Sequence, residues 1–167
     1  VRQIVQNVTG RDIPIGVTEF NSNSTNNMGG DATLDSHFNA IWLGDVLGRL
    51  INNQVAIATH WDLQGGSNRG WGLLGSYNVR PSAYTYMMYT HFGETLLTAS
   101  STDPNVTIYA ARRADGALTL MVINVGDTEA ERTLSLSGFT PGGDAEVWRF
   151  DETTNAEQID SIAIADG

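Results

Sequence analysis

Ile13-Pro14-Ile15-Gly16-Val17-Thr18-Glu19-Phe20 is the stretch whose reading decides the fold. It is short, rich in β-branched and aromatic residues, has its proline near the start, and gives way to a polar run at 21–30. That pattern predicts a buried strand. Downstream, Leu34, Phe38, Ile41, Trp42, Leu50 and Ile51 recur at helical spacing behind a candidate cap at Asp31, which predicts an amphipathic helix of several turns. Residues 54–61 read as a second apolar strand, 64–80 as a glycine-rich loop, and Pro81 as the opening of a second helix that ends at Gly93. Strand, helix, strand, helix at this spacing predicts a parallel sheet with helices outside it.

After Gly93 the period changes. Segments 106–112, 117–124, 131–137, 144–150 and 158–164 alternate apolar and polar residues, as half-buried antiparallel strands do. Asp115-Gly116 between the first two predicts a hairpin with a tight primed turn, which needs positive φ, and Pro141-Gly142-Gly143 marks a further turn. The second part therefore reads as an all-β sandwich or a piece of one, with the division between 98 and 105 giving parts 1–98 and 99–167. No internal repeat is visible, and the Ser, Asn and Thr of 21–27 read as a solvated loop.

The chain has 167 residues, enough for one ordinary domain or pieces of two. Its net charge of -10 argues against nucleic acid, because neutralising phosphates needs clustered cations, and every basic residue here is Arg. No apolar run approaches the roughly 20 residues that span a bilayer. There is no Cys, so disulfides and thiolate metal sites are excluded and the redox compartment is unmarked. Val1 is not an initiator Met and no signal pattern follows it, so the sequence is expected to be a processed or truncated piece with any targeting signal upstream. The sequons at Asn7, Asn23 and Asn105 matter only in a eukaryotic secretory host.

Glu19 is the first candidate for chemistry, since it stands where an apolar strand meets a polar loop, the end at which parallel α/β sheets bind ligands. A carboxylate there can attack an anomeric carbon while a second carboxyl, about 5 to 5.5 Å away, serves as acid and then base. The competing reading is a strand-end carboxylate in an ordinary ion pair. The second strand ends in His60-Trp61-Asp62, and Trp61 can stack on a sugar face or fill a core. His60 and Asp62 alternate with it and point the other way, which makes His60 a structural histidine if Trp61 faces the strand mouth. Trp71, among Gly65, Gly66, Gly70 and Gly72, can be an aromatic platform or a plug beneath its loop. Those glycines lack the Lys and helix start of a phosphate loop. His37 and His91 lack the spacing of a metal pair, and no Gly-x-Ser-x-Gly elbow is present, so neither metal nor Ser-based catalysis is expected and no cofactor is implied.

Taken together, these residues resemble the clan A glycoside hydrolases in which a (β/α)8 barrel is followed by a β-sandwich, as in families 39, 44 and 51. Ile15-Gly16-Val17-Thr18-Glu19-Phe20-Asn21 resembles the seventh barrel strand of that clan, and Ala56-Ile57-Ala58-Thr59-His60-Trp61 the eighth. Arg80-Pro81-Ser82-Ala83-Tyr84 through His91-Phe92-Gly93 is similar to the last barrel helix, and Val106-Thr107-Ile108-Tyr109-Ala110-Ala111-Arg112 to the first sandwich strand. The resemblance implies an α/β plus all-β fold: the last two strand-helix units of a TIM barrel at 1–98, then a β-sandwich at 99–167 lacking a last strand.

It further implies retaining hydrolysis of plant cell-wall polysaccharide, a β-glucan, xylan or arabinofuranoside, with Glu19 as nucleophile and Trp61, Asn21 and Trp71 binding substrate. The clan carries its acid/base Glu on the fourth strand, so neither Glu94 nor Glu129 fills that role. A companion chain or segment holding the other barrel strands is expected, with an extracellular or periplasmic location. A carbohydrate-binding or structural β-sandwich without catalysis, using Trp148 or Tyr109, is the alternative.

Overall fold

In the computed structural model, which describes residues 1–66 and 68–163, the opening apolar run forms β1 (Gly16–Phe20) and the second forms β2 (Ile57–His60). They pair in parallel, with Gly16 opposite Ile57, Val17 opposite Ala58 and Phe20 opposite His60, and an irregularity between Val17 and Phe20. Main-chain bonds from Ala56 to Ile15 (2.8 Å) and from Trp61 to Phe20 (2.9 Å) extend the ladder at both ends. Between the strands runs helix α2 (His37–Asn52), and α3 (Pro81–Tyr89) follows β2. The parallel β-α-β unit is therefore present. Its sheet has two strands among the described residues and does not close into a barrel.

Two expectations about α2 are corrected. Its cap is Ser36, whose hydroxyl accepts from the Asn39 N–H (3.2 Å), not Asp31, which lies in the turns that precede it. Its buried face is Asn39, Ala40, Leu43, Gly44 and Gly48, while Phe38 is 62% exposed and Ile41 and Trp42 are half-buried. Large apolar residues mark a face that wants cover, but the closest neighbours take the small residues. Residues 40, 44 and 48 form an i, i+4 row along which α3 and the later sheet approach. Against α3 the contact is polar: Asn39 donates to Ser82 (3.1 Å), Thr85 to the Ala40 carbonyl (2.8 Å), and Tyr89 to the Gly44 carbonyl (2.7 Å).

The second half builds antiparallel sheets. Strands β3 (Thr95–Leu97), β4 (Val106–Arg112) and β5 (Leu118–Asn124) form one, in the order β3-β4-β5, and β6 (Ala145–Arg149) with β7 (Glu157–Ile162) form another. Strand β3 was not legible in its three residues. The expected hairpin at Asp115-Gly116 is present with a different turn. Gly116 has φ 91° and donates to Arg113 O (2.9 Å), Arg113 donates to Ala117 O (2.9 Å), and Asp115 does not have positive φ. That is a three-residue loop with glycine at the left-handed position, not a primed two-residue turn.

The strand expected at 131–137 does not form. Its alternation is real, yet no ladder partner lies beside it among the described residues. Leu134 is left 48% exposed and Arg132 is tied by an ion pair to Asp103. The end of the strand expected at 158–164 falls outside the described residues; β7 begins at Glu157 and every one of its residues is exposed.

An opening helix, α1 (Arg2–Thr9), also forms, and Ile4, Val5 and Val8 carry the i, i+1, i+4 spacing of one. It buries nothing: Ile4 is 67% and Val8 80% exposed. Exposed apolar residues recur on β2, β5 and β7, and the chain presents 11163 Å² to solvent. A monomeric protein of 18.0 kDa is expected to present about 8,000 Å².

The described core centres on the contact of α2 with β4. Tyr109 is 4% exposed, and a Cβ at Gly48 would lie 2.2 Å from its ring. Its hydroxyl donates to the Asp45 carboxylate (2.6 Å), which also takes a bond from Arg49 (2.6 Å). Burial works to raise the Asp45 pKa, but the bonds from Tyr109 and Arg49 more than offset it and hold the carboxyl below its ordinary 3.8. Burial, with the bond to Asp45, pushes Tyr109 up to about 12.

Gly48→Ala is expected to lower unfolding stability by about 1–3 kcal/mol, because the ring and both backbones must shift; urea titration measures it. The same contact sets a pH window. A depressed Asp45 stabilises above its unfolded pKa and loses that contribution as pH falls through the folded one; a raised Tyr109 stabilises below pH 10 and loses it as pH climbs towards 12. Tyr109→Phe is expected to flatten both limbs of a plot of melting temperature against pH.

Candidate active site

Strand alternation sorts the side chains at the C-terminal ends of β1 and β2. Phe20 and His60 are register partners whose rings meet edge to face (5.5 Å, 80°), and His60 meets Tyr86 of α3 in the same way (5.9 Å, 89°). These rings define the side turned to the helices. Glu19 and Trp61 are their immediate neighbours in sequence, and alternation assigns them to the other side. Both are exposed, Trp61 by 47%. The irregularity in β1 leaves Thr18 and Glu19 exposed in succession, so the strand turns its carboxylate out just before its end. Trp61 N–H donates to the Phe20 carbonyl, so the residue just past β2 is tied to the last residue of β1, next to Glu19.

Behind them, Asn21 works as a clip. Its amide donates to the Trp61 carbonyl (2.5 Å) and reaches the Trp71 carbonyl and His60 Nε2, both at 3.3 Å, while its oxygen accepts from Ser22 N–H (2.7 Å). With its polar atoms engaged by the protein, Asn21 bears on any ligand through the positions of Trp61 and Trp71. Trp71 is half-buried, and its indole N–H donates to the Asn23 carbonyl (3.2 Å), so it joins the loops that follow the two strands. The loops are joined again by Gly70 N–H to Asn26 (2.7 Å) and Asn26 to the Asn68 carbonyl (2.8 Å).

His60 is the buried titratable group of this layer. Its Nε2 either accepts from Asn21 or donates to the Trp71 carbonyl (3.4 Å), and its Nδ1 is buried without a hydrogen-bond partner. Burial drives its pKa below 6.5, against the opposing pull of the Trp71 carbonyl and of Asp62. Burial also pushes Tyr86 up to about 12, so neutral rings face one another. Asp62, joined to Trp61 by a cis peptide bond, buries one carboxylate oxygen without a partner. The Asn21–His60 clip was not read from the sequence. The available signal was alternation, which puts His60 behind Trp61.

The remaining candidates lie elsewhere. Glu94 accepts from Ala114 N–H (3.0 Å) beside the β4–β5 turn, and Glu129 is exposed on the loop after β5. Tyr109 is buried and offers no face to a ligand. Trp148 lays one ring face on His91 (4.0 Å, 27°), and His37 meets Phe150 (4.9 Å). These aromatic contacts attach the β6–β7 hairpin to the helical half.

The fold is of mixed α/β class, a short parallel unit followed by antiparallel sheets. Compared with models of known protein families and with curated protein sequences, the chain matches none. No helix among the described residues is long and apolar enough to cross a membrane.

Asn21→Ala is expected to cost about 1 kcal/mol for each bond lost and to raise the accessibility of Trp61 and Trp71 to a soluble quencher such as acrylamide. A neutral, buried His60 contributes stability above pH 6.5 that is lost as pH falls through its lower folded pKa. Amide exchange in the loop carrying Trp71 is accordingly expected to quicken below pH 6.5, and to do so less in His60→Gln.

Proposed function

We propose that this chain is the C-terminal part of a retaining glycoside hydrolase of the barrel-plus-sandwich clan, with Glu19 as its nucleophile. The observation that carries the reading is that an exposed carboxylate and an exposed indole both stand at the C-terminal ends of adjacent parallel strands, Glu19 before Phe20 and Trp61 after His60. An indole face covers the apolar C–H face of a sugar ring and holds it against the neighbouring group. A carboxylate oxygen then bonds to the anomeric carbon as the glycosidic C–O bond breaks, and the leaving oxygen takes a proton from a second carboxyl. Water afterwards attacks the glycosyl ester, giving its proton back to that second group.

The second carboxyl is proposed to come from strands outside this chain. Supporting this are the parallel sheet, two-stranded and unpaired at its edges among the described residues, the exposed Ile57 and Trp61, and an accessible surface far above that of a self-contained domain of this mass. Strands that complete the sheet bury those groups and bring the acid/base to Glu19. Cell-wall polysaccharide is the proposed substrate, which puts the work outside the cell or in the periplasm.

In the complete enzyme, Glu19→Gln is expected to lower turnover at least about a thousandfold without changing the melting temperature. A 2-deoxy-2-fluoro glycoside is expected to label Glu19, as peptide mass mapping reads out. Near-native turnover in the variant, or a label elsewhere, removes Glu19 from the role.

A further inference from the structure

The loops after β1 and β2 enclose a second feature, separate from the Glu19–Trp61 pair. A cavity of about 220 Å³ is lined by Met28 and Asp35 from the first loop and by Ser76, Tyr77, Asn78 and Arg80 from the second. It is smaller than the roughly 300–1,000 Å³ of pockets for drug-sized ligands, and so has room for a single ring.

Its two charged walls are built in. Arg80 is 3% exposed and donates to the carbonyls of Gly72 (3.2 Å) and Gly66 (2.9 Å). Asp35 accepts from the Gly29 N–H (3.1 and 3.3 Å) and the Thr33 hydroxyl (2.7 Å). Neither belongs to an ion pair among the described residues, though both line one small cavity. A buried guanidinium without a carboxylate is costly, and direct pairing would relieve it. Instead Arg80 is held by two carbonyls and Asp35 by the Gly29 N–H and the Thr33 hydroxyl. Above them the turn from Gly75 to Asn78, closed by Gly75 N–H to the Asn78 carbonyl (2.9 Å), holds Tyr77 wholly in solvent, 101% exposed.

We infer that this cavity is a subsite for one neutral sugar unit of the polysaccharide chain, an inference that rests on the glycosidase reading. Fixed donor and acceptor charges lining one cavity suit a ligand of no net charge whose hydroxyls accept from Arg80 and donate to Asp35 and Asn78. An anion meets Asp35 and a cation meets Arg80. Tyr77 supplies the aromatic face on which such a ring stacks, and its full exposure leaves that face free. Both loops spring from the strand ends that carry Glu19 and Trp61, so the subsite lies along the same rim.

The test is calorimetric titration of the complete protein, in the Glu19→Gln background, with xylohexaose, cellohexaose and a glucuronic-acid-substituted xylo-oligosaccharide. Tyr77→Ala removes a fully exposed side chain from the cavity's rim; Asp35→Asn keeps the size of the wall. Each is expected to raise the Kd for a neutral oligosaccharide about tenfold, and Trp61→Ala to weaken binding independently. If Trp61→Ala weakens binding while Tyr77→Ala and Asp35→Asn do not, the subsite is refuted and the glycosidase reading stands. If only the acidic oligosaccharide binds, the cavity is an anion site and the inference fails. If none binds, both readings fail.

Discussion

The ring of Tyr109 occupies the space that any side chain at position 48 would fill, and the described core is arranged around that contact. A strand of the antiparallel sheet approaches helix α2 closely because the helix offers glycine there, and the phenol is held by Asp45 one turn earlier. The bond makes the contact directional where small-residue packing by itself is not. With Thr85 and Tyr89 of α3 bonded to carbonyls on the same helix, α2 becomes the common support of the strand-helix unit and of the first antiparallel sheet. Its register fixes where both of them sit.

The strand ends that matter for chemistry are held by another device. Alternation puts Phe20 and His60 against the helical layer and so turns Glu19 and Trp61 outward, but alternation alone leaves the ends of two short strands loose. Asn21 supplies the restraint, reaching from one strand to the carbonyl after the other and to the loop that carries Trp71. The nitrogen of His60 within reach of that amide cannot accept and donate at once, and its other nitrogen is buried without a partner. Behind the candidate site the buried imidazole of His60 is consequently neutral and sensitive to acid, while Glu19 and Trp61 in front of it are exposed.

That open surface is the least resolved energetically. An isolated pair of parallel strands leaves backbone groups unpaired along both edges, and Ile57 faces water where a sheet of more strands would cover it. Helix α1 and strand β7 likewise display apolar residues, Ile4, Val8, Ile159 and Ile162, that no described residue covers. Such exposure to water is costly, and a partner surface relieves it. The charge balance agrees with the proposed ligand: a net negative surface repels polyanions and is indifferent to neutral polysaccharide.

What the sequence determined by itself was local and periodic. The apolar run ending at Glu19, the helix after it, the run ending at Trp61 and the helix opened by Pro81 were legible because side-chain period reports secondary structure directly. The change of grammar after Gly93 was legible for the same reason, as was the opposition of His60 and Trp61. What the tertiary structure decided was which face of α2 is buried, since Phe38 and Ile41 look like the core while Ala40, Gly44 and Gly48 form it. It also decided that 131–137, though it alternates, has no neighbour among the described residues with which to form a strand, and that the Asp115-Gly116 hairpin closes with three residues. The reason is common to all three: period and propensity are properties of one segment, whereas close approach, ladder pairing and the linking of Asn21 to His60 need a second segment whose position no single stretch encodes.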